Sequence, residues 1–169
     1  SRSGITTIGP FDPDHRLLAA HIEHDAEEVP VGMVSKGGGS YSVDFGFDTQ
    51  PGEEYTVHVH YDVGYALDET TAEGESYRVL AWAPPQWNLE IEEQIVTFIL
   101  PVELPEGIVE PEQVTDEIVD QAGVLVDDSL LASFDRWVYY PTTDEASGKN
   151  YLSVYVSEEE VPAKYHFVP

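Results

Sequence analysis

The chain has 169 residues, 41% of them hydrophobic, which is sufficient for a packed domain and excludes a chain that is disordered throughout. Its 33 acidic residues stand against 7 Lys and Arg residues, so the formal net charge is −26 at pH 7. Such a surface repels phosphates and anionic lipids, which excludes nucleic acids and anionic membranes as binding partners. The absence of cysteine excludes a disulfide framework and a thiolate metal site.

The N-terminal segment differs in composition from the rest. Residues 1–14 are rich in Gly, Pro, Ser and Thr and are predicted to form an N-terminal arm. Residues 15–169 are predicted to be a single domain. Because a polar arm can lie along a neighbouring molecule, the arm is a candidate for assembly contacts. The residues expected to make these contacts are Ser1, Arg2, Ile5, Ile8 and Phe11.

Three stretches in the first half of the chain predict strands. The first covers residues 16–22. In the other two, residues 41–47 and 55–63, aromatic and Val side chains occupy alternate positions, a period that predicts half-buried strands. A Pro-Gly turn separates these two stretches, so they are predicted to pair as an antiparallel hairpin that presents one aromatic face.

The second half begins with a polar segment and a long apolar one. Residues 68–75 are predicted to form a loop. Residues 91–100 are almost continuously apolar, which predicts a central strand buried on both faces. Further strands are predicted over residues 76–83, 136–140, 151–156 and 164–168.

The predicted architecture is mainly β, an antiparallel β-sandwich of about seven or eight strands. A short helical insert covers residues 110–134 of this domain, and its helices are predicted near residues 111–134. Val114, Ile118 and Ala122 recur at every fourth position within this insert, with acidic residues on the opposite side. That spacing predicts an amphipathic helix, which Gly123 ends.

Histidines are the first candidate ligands. His58 and His60 stand two apart on a predicted strand, which places both rings on one face about 7 Å apart, within reach of one metal ion. His21 and His24 offer a second pair. A zinc site needs a third and usually a fourth ligand, which the sequence does not designate. The alternative interpretation is that these histidines simply face solvent.

Carboxylates are the second group of candidate ligands, with calcium as the cation. Asp12 and Asp14 stand two apart, and residues 68–75 and 110–120 are strongly acidic. Calcium takes six to eight oxygen ligands, so these segments are candidates for it, although none has the spacing of an EF-hand. The alternative is a solvated acidic surface. Calcium is the candidate cofactor, and the sequence predicts no other.

Motifs of catalysis are absent from the sequence. There is no Gly-x-Ser-x-Gly, no Gly-rich phosphate loop and no cysteine nucleophile. Glu92 and Glu93 fail as a glycosidase pair, because neighbours on a strand point to opposite faces. We therefore expect a protein that is not an enzyme.

Glycine, aromatic and proline residues recur in a distinctive order within residues 41–101, namely Gly52, Tyr55, Tyr61, Trp82, Trp87, Leu100 and Pro101. In these positions the segment resembles the extracytoplasmic β domain of a prokaryotic "predicted membrane protein" family of unknown function. Ala83 stands where that family has Asn, and the insert at 110–134 has no counterpart there. The resemblance implies a surface-exposed β-sandwich tethered by membrane spans, and it assigns no catalytic residue.

The net charge and the lack of apolar stretches indicate where the protein is located. The charge is compatible with a salty or extracellular medium, a calcium-rich surface, or an acidic functional patch. No stretch approaches the roughly 18 apolar residues of a membrane span, and the first residues lack the apolar core of a signal peptide. We expect a soluble chain, or an ectodomain whose signal and anchor have been removed, located outside the cell or at its surface.

Three functions follow as hypotheses. The first is a noncatalytic cell-surface interaction module with protein partners, adapted to high salt or calcium. The second is a structural subunit that self-assembles into a surface layer or filament through edge strands and the arm of residues 1–14. The third is a metal-dependent enzyme centred on His58 and His60.

Overall fold

The structure is a computed structural model that describes residues 7–24, 27–48, 50, 52–64, 67–72, 74–80, 82 and 90–163. It is mainly β, with 55% of these residues in strands and 9% in helices, and all strand pairs are antiparallel. The predicted fold class is therefore confirmed, including the short helices near residues 111–134. None of the described helices is long and apolar enough to cross a membrane.

The described part of the chain contains eleven strands and three short helices. The strands are β1 (Thr7–Ile8), β2 (His15–His24), β3 (Glu27–Pro30), β4 (Gly32–Gly37), β5 (Ser40–Asp44), β6 (Thr56–Val63), β7 (Asp68–Ala72), β8 (Glu75–Val79), β9 (Ile91–Glu103), β10 (Arg136–Thr143) and β11 (Asn150–Val161). The helices are a 3-10 turn (Pro111–Gln113), α1 (Asp116–Gln121) and α2 (Asp128–Leu131). The predicted strand at 164–168 lies outside the described residues.

The chain divides into two compact units, within residues 1–87 and within residues 88–165. The single domain that the sequence predicts over residues 15–169 stays a prediction. Each unit pairs its own strands: among the described strands, none of β1–β8 pairs with any of β9–β11.

The first unit contains two three-stranded sheets and a hairpin. The sheet orders are β1-β5-β4 and β3-β2-β6, and β7 pairs with β8. The predicted loop at 68–75 is therefore wrong, because most of it forms this hairpin around Gly74, whose φ of +91° suits a tight turn. Only Val31 separates β3 from β4, so the chain passes directly from one sheet to the other.

The predicted hairpin between residues 41–47 and 55–63 is also wrong. β5 pairs with β1 and β4, whereas β6 pairs with β2. The chain leaves β5 at Gly46, whose φ of +68° lies in the left-handed region and whose N–H donates to Asp44 Oδ1 at 3.2 Å. The aromatic residues nevertheless meet. The ring centroid of Phe11 lies 5.9 Å from that of Tyr41 on β5 and 5.0 Å from that of Tyr61 on β6. Phe11 therefore contacts both sheets of the first unit through these two rings.

The segment from Thr7 to Phe11 is part of the first unit and not a free arm. Ile8 is buried in β1 and lies opposite Tyr41, and the N–H of Phe11 donates to Gly39 O at 2.9 Å. Ile8 is buried and so is not available to a neighbouring molecule, whereas Phe11 is half-buried and its assembly role stays a prediction. Ser1, Arg2 and Ile5 lie outside the described residues.

Gly39 provides a test of this docking. A Cβ at Gly39 would lie 2.5 Å from the carbonyl oxygen of Phe11, whereas a Cβ at Gly38 would meet nothing within 4 Å, and both residues have positive φ. We expect Gly39→Ala to lower the free energy of unfolding by about 1–3 kcal/mol more than Gly38→Ala does. Urea unfolding of the two variants measures the difference. Equal losses would mean that Phe11 does not pack against this turn.

The second unit is a three-stranded sheet in the order β10-β11-β9 with a helical segment between β9 and β10. The central strand is β11, in which Leu152 is 0% and Val156 is 1% exposed. The prediction that residues 91–100 form a central strand is wrong: in the described part of the sheet, β9 pairs with β11 alone. Its alternate residues Ile95 and Ile99 are exposed.

Helix ends in the insert follow ordinary capping chemistry. The N–H groups of Ser129 and Leu130 donate to Asp127 Oδ1, so Asp127 caps α2, as expected for an acidic residue at this position. The hydrogen bonds from Ser129 and Leu130 lower the pKa of Asp127. Gly123 takes φ +70° after α1, which ends that helix. Val114, Val119 and Leu131 are the buried side chains of this segment.

Candidate functional site

The two histidines singled out in the sequence lie on one face of β6. Val57, Val59 and Tyr61 face the interior of the first unit, so His58 and His60 point to the other face. The side chain of His58 is 39% exposed, and His60 is exposed. The predicted same-face arrangement of the pair is therefore present.

A third histidine joins them through an irregularity in β2. The register between β2 and β6 shifts by one residue between Leu17 and Ala19, so the residues that follow change faces. Beyond the shift, Ile22 is fully buried and His21 lies directly opposite His58. His21 would otherwise share the inner face with Leu17. We call His21, His58 and His60 the histidine cluster.

The rings of the histidine cluster lie close together. The ring centroids of His21 and His58 are 4.6 Å apart with an interplanar angle of 11°, and those of His21 and His60 are 6.0 Å apart with an angle of 29°. The ring of His21 is therefore nearly parallel to that of His58 and inclined to that of His60, and it lies near both members of the pair on β6. Ala19, opposite His60 in the register, contributes only a methyl group to this face.

Carboxylates border the histidine cluster. Glu23 Oε2 lies 3.4 Å from His58 Nε2, and Glu28 on β3 is directly opposite Glu23. His58 Nε2 is shielded from solvent and has no hydrogen-bond partner among the described residues. The contact with Glu23 lacks hydrogen-bond geometry, so this nitrogen retains an unused polar function next to a carboxylate.

The remaining predicted ligands are elsewhere. Asp12 and Asp14 precede β2 at the end where His15 pairs with Val63. His15 is six residues from His21 along β2, so this end of the strand lies roughly 20 Å from the histidine cluster. Burial, and secondly the charge of Asp12, raise the pKa of Tyr61, which places Asp12 beside the inner aromatic residues. His24 packs on Tyr55 at 4.5 Å. Within the described ranges, no three His, Cys, Asp or Glu side chains are already arranged to hold a metal ion.

The second candidate site is the outer face of the second unit's sheet, which we call the open face. The rows of this face are Ile95, Thr97 and Ile99 of β9, Ser157, Tyr155 and Ser153 of β11, and Arg136, Val138 and Tyr140 of β10. Ile95 is 52% and Ile99 59% exposed, whereas Ser153 and Ser157 on the central strand are buried between their larger neighbours. The hydroxyl of Tyr140 donates to Thr97 Oγ1 at 3.4 Å, spanning Ser153. The exposed apolar side chains of this face therefore lie along β9, next to a row with Tyr155 at its centre.

Charged residues border the open face. Glu93 and Glu159 lie opposite each other at one end of the β9–β11 pair. At the other end Lys149 Nζ donates to Glu103 at 2.6 Å, and this hydrogen bond raises the pKa of Lys149. The guanidinium of Arg136 lies 5.8 Å from the ring centroid of Tyr155. The face is therefore apolar at its centre and mainly acidic at its ends.

The sequence does not predict two features of these sites. Its spacing pairs His21 with His24, because nothing in the residue order marks a one-residue shift in register. The apolar run at 91–100 predicts burial of Ile95 and Ile99, because a count of apolar residues does not reveal that one side of β9 is exposed. Alternation within β9, with Glu93 and Glu103 in the same row as the two isoleucines, was the available signal.

No family model, curated protein or solved structure matches the chain. The resemblance of residues 41–101 to an extracytoplasmic membrane-protein family stays a prediction.

Proposed function

We propose that this chain is a noncatalytic interaction module at a cell surface or outside the cell, and that it binds a protein partner through the open face. The observation that carries the proposal is the exposure of Ile95 and Ile99 on the sheet face that also carries Tyr140 and Tyr155. Single exposed apolar residues are ordinary on any protein, but two in one row of a sheet face that also carries aromatic residues are typical of an interface. The acidity supports a salty or calcium-containing medium.

The border of the open face indicates the chemistry of the partner. An apolar centre flanked by Glu93 and Glu159 at one end favours a surface with apolar or aromatic residues in the middle and Lys or Arg at the edge. A net charge of −26 adds long-range attraction for a basic partner, which raises the association rate at low ionic strength. The apolar contacts supply most of the affinity, since exposed charge pairs contribute little.

A selection from a random peptide display library tests this proposal. We expect the recovered peptides to combine aromatic or aliphatic residues with Lys or Arg, and to bind a variant with Ile95→Thr and Ile99→Thr about tenfold or more weakly. Threonine keeps the β-branched shape, so the strand should persist. The matched control is Val109→Thr with Leu125→Thr, since these residues are 60% and 59% exposed in the same unit.

The outcome is decisive in either direction. Loss of peptide binding in the Ile95/Ile99 variant alone supports the open face as the binding surface. If no peptides are recovered, or if both double variants bind them equally, the proposal is wrong. Circular dichroism and the thermal midpoint of each variant establish that the sheet remains folded.

The second candidate function is self-assembly into a surface layer or filament, with a second copy as the occupant of the open face. The exposed isoleucines favour it, while Glu93 and Glu159 on each copy oppose it until salt or calcium neutralises them. Light-scattering mass on a sizing column at low salt, at high salt and with millimolar calcium distinguishes the two. A monomer in every condition favours the interaction module, whereas polymers that the Ile95/Ile99 variant does not form would make assembly the function.

A further inference from the structure

The histidine cluster has the composition of a transition-metal site. We propose that His21, His58 and His60 bind one first-row divalent transition-metal ion, with Zn²⁺ as the expected ion and Glu23 as the residue that positions His58. Imidazole nitrogen suits Zn²⁺, Cu²⁺ and Ni²⁺, and three protein ligands with an open fourth position for water are a common zinc arrangement. This site is independent of the open face, since all four residues belong to the first unit.

The ring separations match those that one ion requires. With zinc–nitrogen distances of about 2.0–2.1 Å and tetrahedral angles, the centroids of two bound imidazoles lie about 5 Å apart. The observed centroid distances from His21 to His58 and His60 are 4.6 and 6.0 Å, on either side of this value. The backbone therefore already places His21 at about the spacing of a shared ion from each histidine of β6.

Binding requires rotation of side chains and no movement of strands. The rings of His21 and His58 are stacked at 11°, and in this arrangement the histidine cluster does not yet form a metal-binding group among the described residues. Rotation about the side-chain torsions of His21 and His60 would turn a nitrogen of each towards the space between the two strands. His60 is exposed, and the small Ala19 lies opposite it, so this rotation meets little obstruction.

Glu23 lies where it can orient His58 once a metal ion is bound. A histidine that binds a metal through one nitrogen usually donates its other N–H to a carboxylate, which fixes the tautomer. His58 Nε2 lies 3.4 Å from Glu23 Oε2, is shielded from solvent and lacks a described hydrogen-bond partner. Nε2 as the donor to Glu23 would leave His58 Nδ1 as the metal ligand. The charge of Glu23 and of Glu28 opposite it also favours the approach of a cation.

Zinc titration of the untagged chain tests the proposal, with calorimetry for stoichiometry and the visible absorption of Co²⁺ as a spectroscopic readout of nitrogen coordination. We expect one ion per chain. His21→Ala, His58→Ala and His60→Ala should each weaken binding about tenfold or more, and Glu23→Gln by a smaller factor. The matched control is His24→Ala, which removes a histidine of the same strand whose ring packs on Tyr55. This variant should bind as the natural chain does.

Two results would overturn the assignment. One is a stoichiometry far below one ion per chain. The other is a loss of affinity in His24→Ala equal to that in the cluster variants, which would indicate diffuse binding by surface histidines and carboxylates. An excess of Ca²⁺, which prefers oxygen ligands, should leave Zn²⁺ bound at the cluster, and displacement by Ca²⁺ would also contradict the proposal. His60→Gln keeps a polar side chain of similar size, so its loss of Co²⁺ absorption with an unchanged thermal midpoint separates coordination from folding.

Discussion

Leu152→Ala is expected to lower the free energy of unfolding of the second unit by about 2–5 kcal/mol, the largest loss of any single change considered for this protein. Leu152 lies on the central strand β11 and is 0% exposed. Its truncation to Ala would therefore leave a buried cavity that water does not fill and that the neighbouring side chains do not close. In a unit of this size each kcal/mol lowers the thermal midpoint by roughly 4–8 °C. The measurement is urea unfolding together with calorimetry.

The matched control for Leu152→Ala is Ile99→Ala on the adjacent strand. Ile99 is 59% exposed, so the change should cost below about 1 kcal/mol. Leu152→Val, which removes less volume, should lie between the two at about 1 kcal/mol. If Ile99→Ala proved as costly as Leu152→Ala, then β9 would be covered on both faces and the strand order β10-β11-β9 would not describe the folded sheet.

The contrast between β9 and β11 explains why the sequence predicted the wrong central strand. Residues 91–100 contain more large apolar side chains than β11 does, yet Ser153 and Ser157 of β11 are buried. Their small side chains lie between larger cross-strand neighbours, and Ser153 Oγ forms a 2.7 Å hydrogen bond with Thr142 Oγ1. A count of apolar residues does not detect a central strand in which small, hydrogen-bonded polar residues are buried.

Strand alternation predicts part of the histidine cluster and misses the rest. The two-residue spacing of His58 and His60 was sufficient to place both on one face, because strands alternate regularly. The approach of His21 depended on a one-residue shift near Leu18, which changes the face of every residue that follows it. Pairing between distant strands, such as β2 with β6, likewise depends on the whole arrangement and not on the nearest turn.

Raising NaCl from about 0.01 M to 1 M is expected to raise the thermal midpoint by roughly 5 °C or more, equivalent to about 1 kcal/mol for a unit of this size. The Debye length falls from about 30 Å to 3 Å over this range, so salt screens the mutual repulsion of 33 acidic residues. The same salt also weakens the exposed pairs Arg16–Asp62 and Lys149–Glu103, but exposed pairs contribute little to stability. Screening of repulsion should therefore dominate.

Two pairs of like charges, one in each unit, allow the source of this salt dependence to be tested. Glu28 lies directly opposite Glu23, and Glu159 directly opposite Glu93, and such cross-strand pairs of carboxylates destabilise a sheet. A variant with Glu28→Gln and Glu159→Gln should melt at a higher temperature than the natural chain at low salt and should gain less from added NaCl. A midpoint that stays flat from low to molar NaCl would show that repulsion between carboxylates does not limit stability. The acidity would then have to act on a partner or a cation and not on the fold.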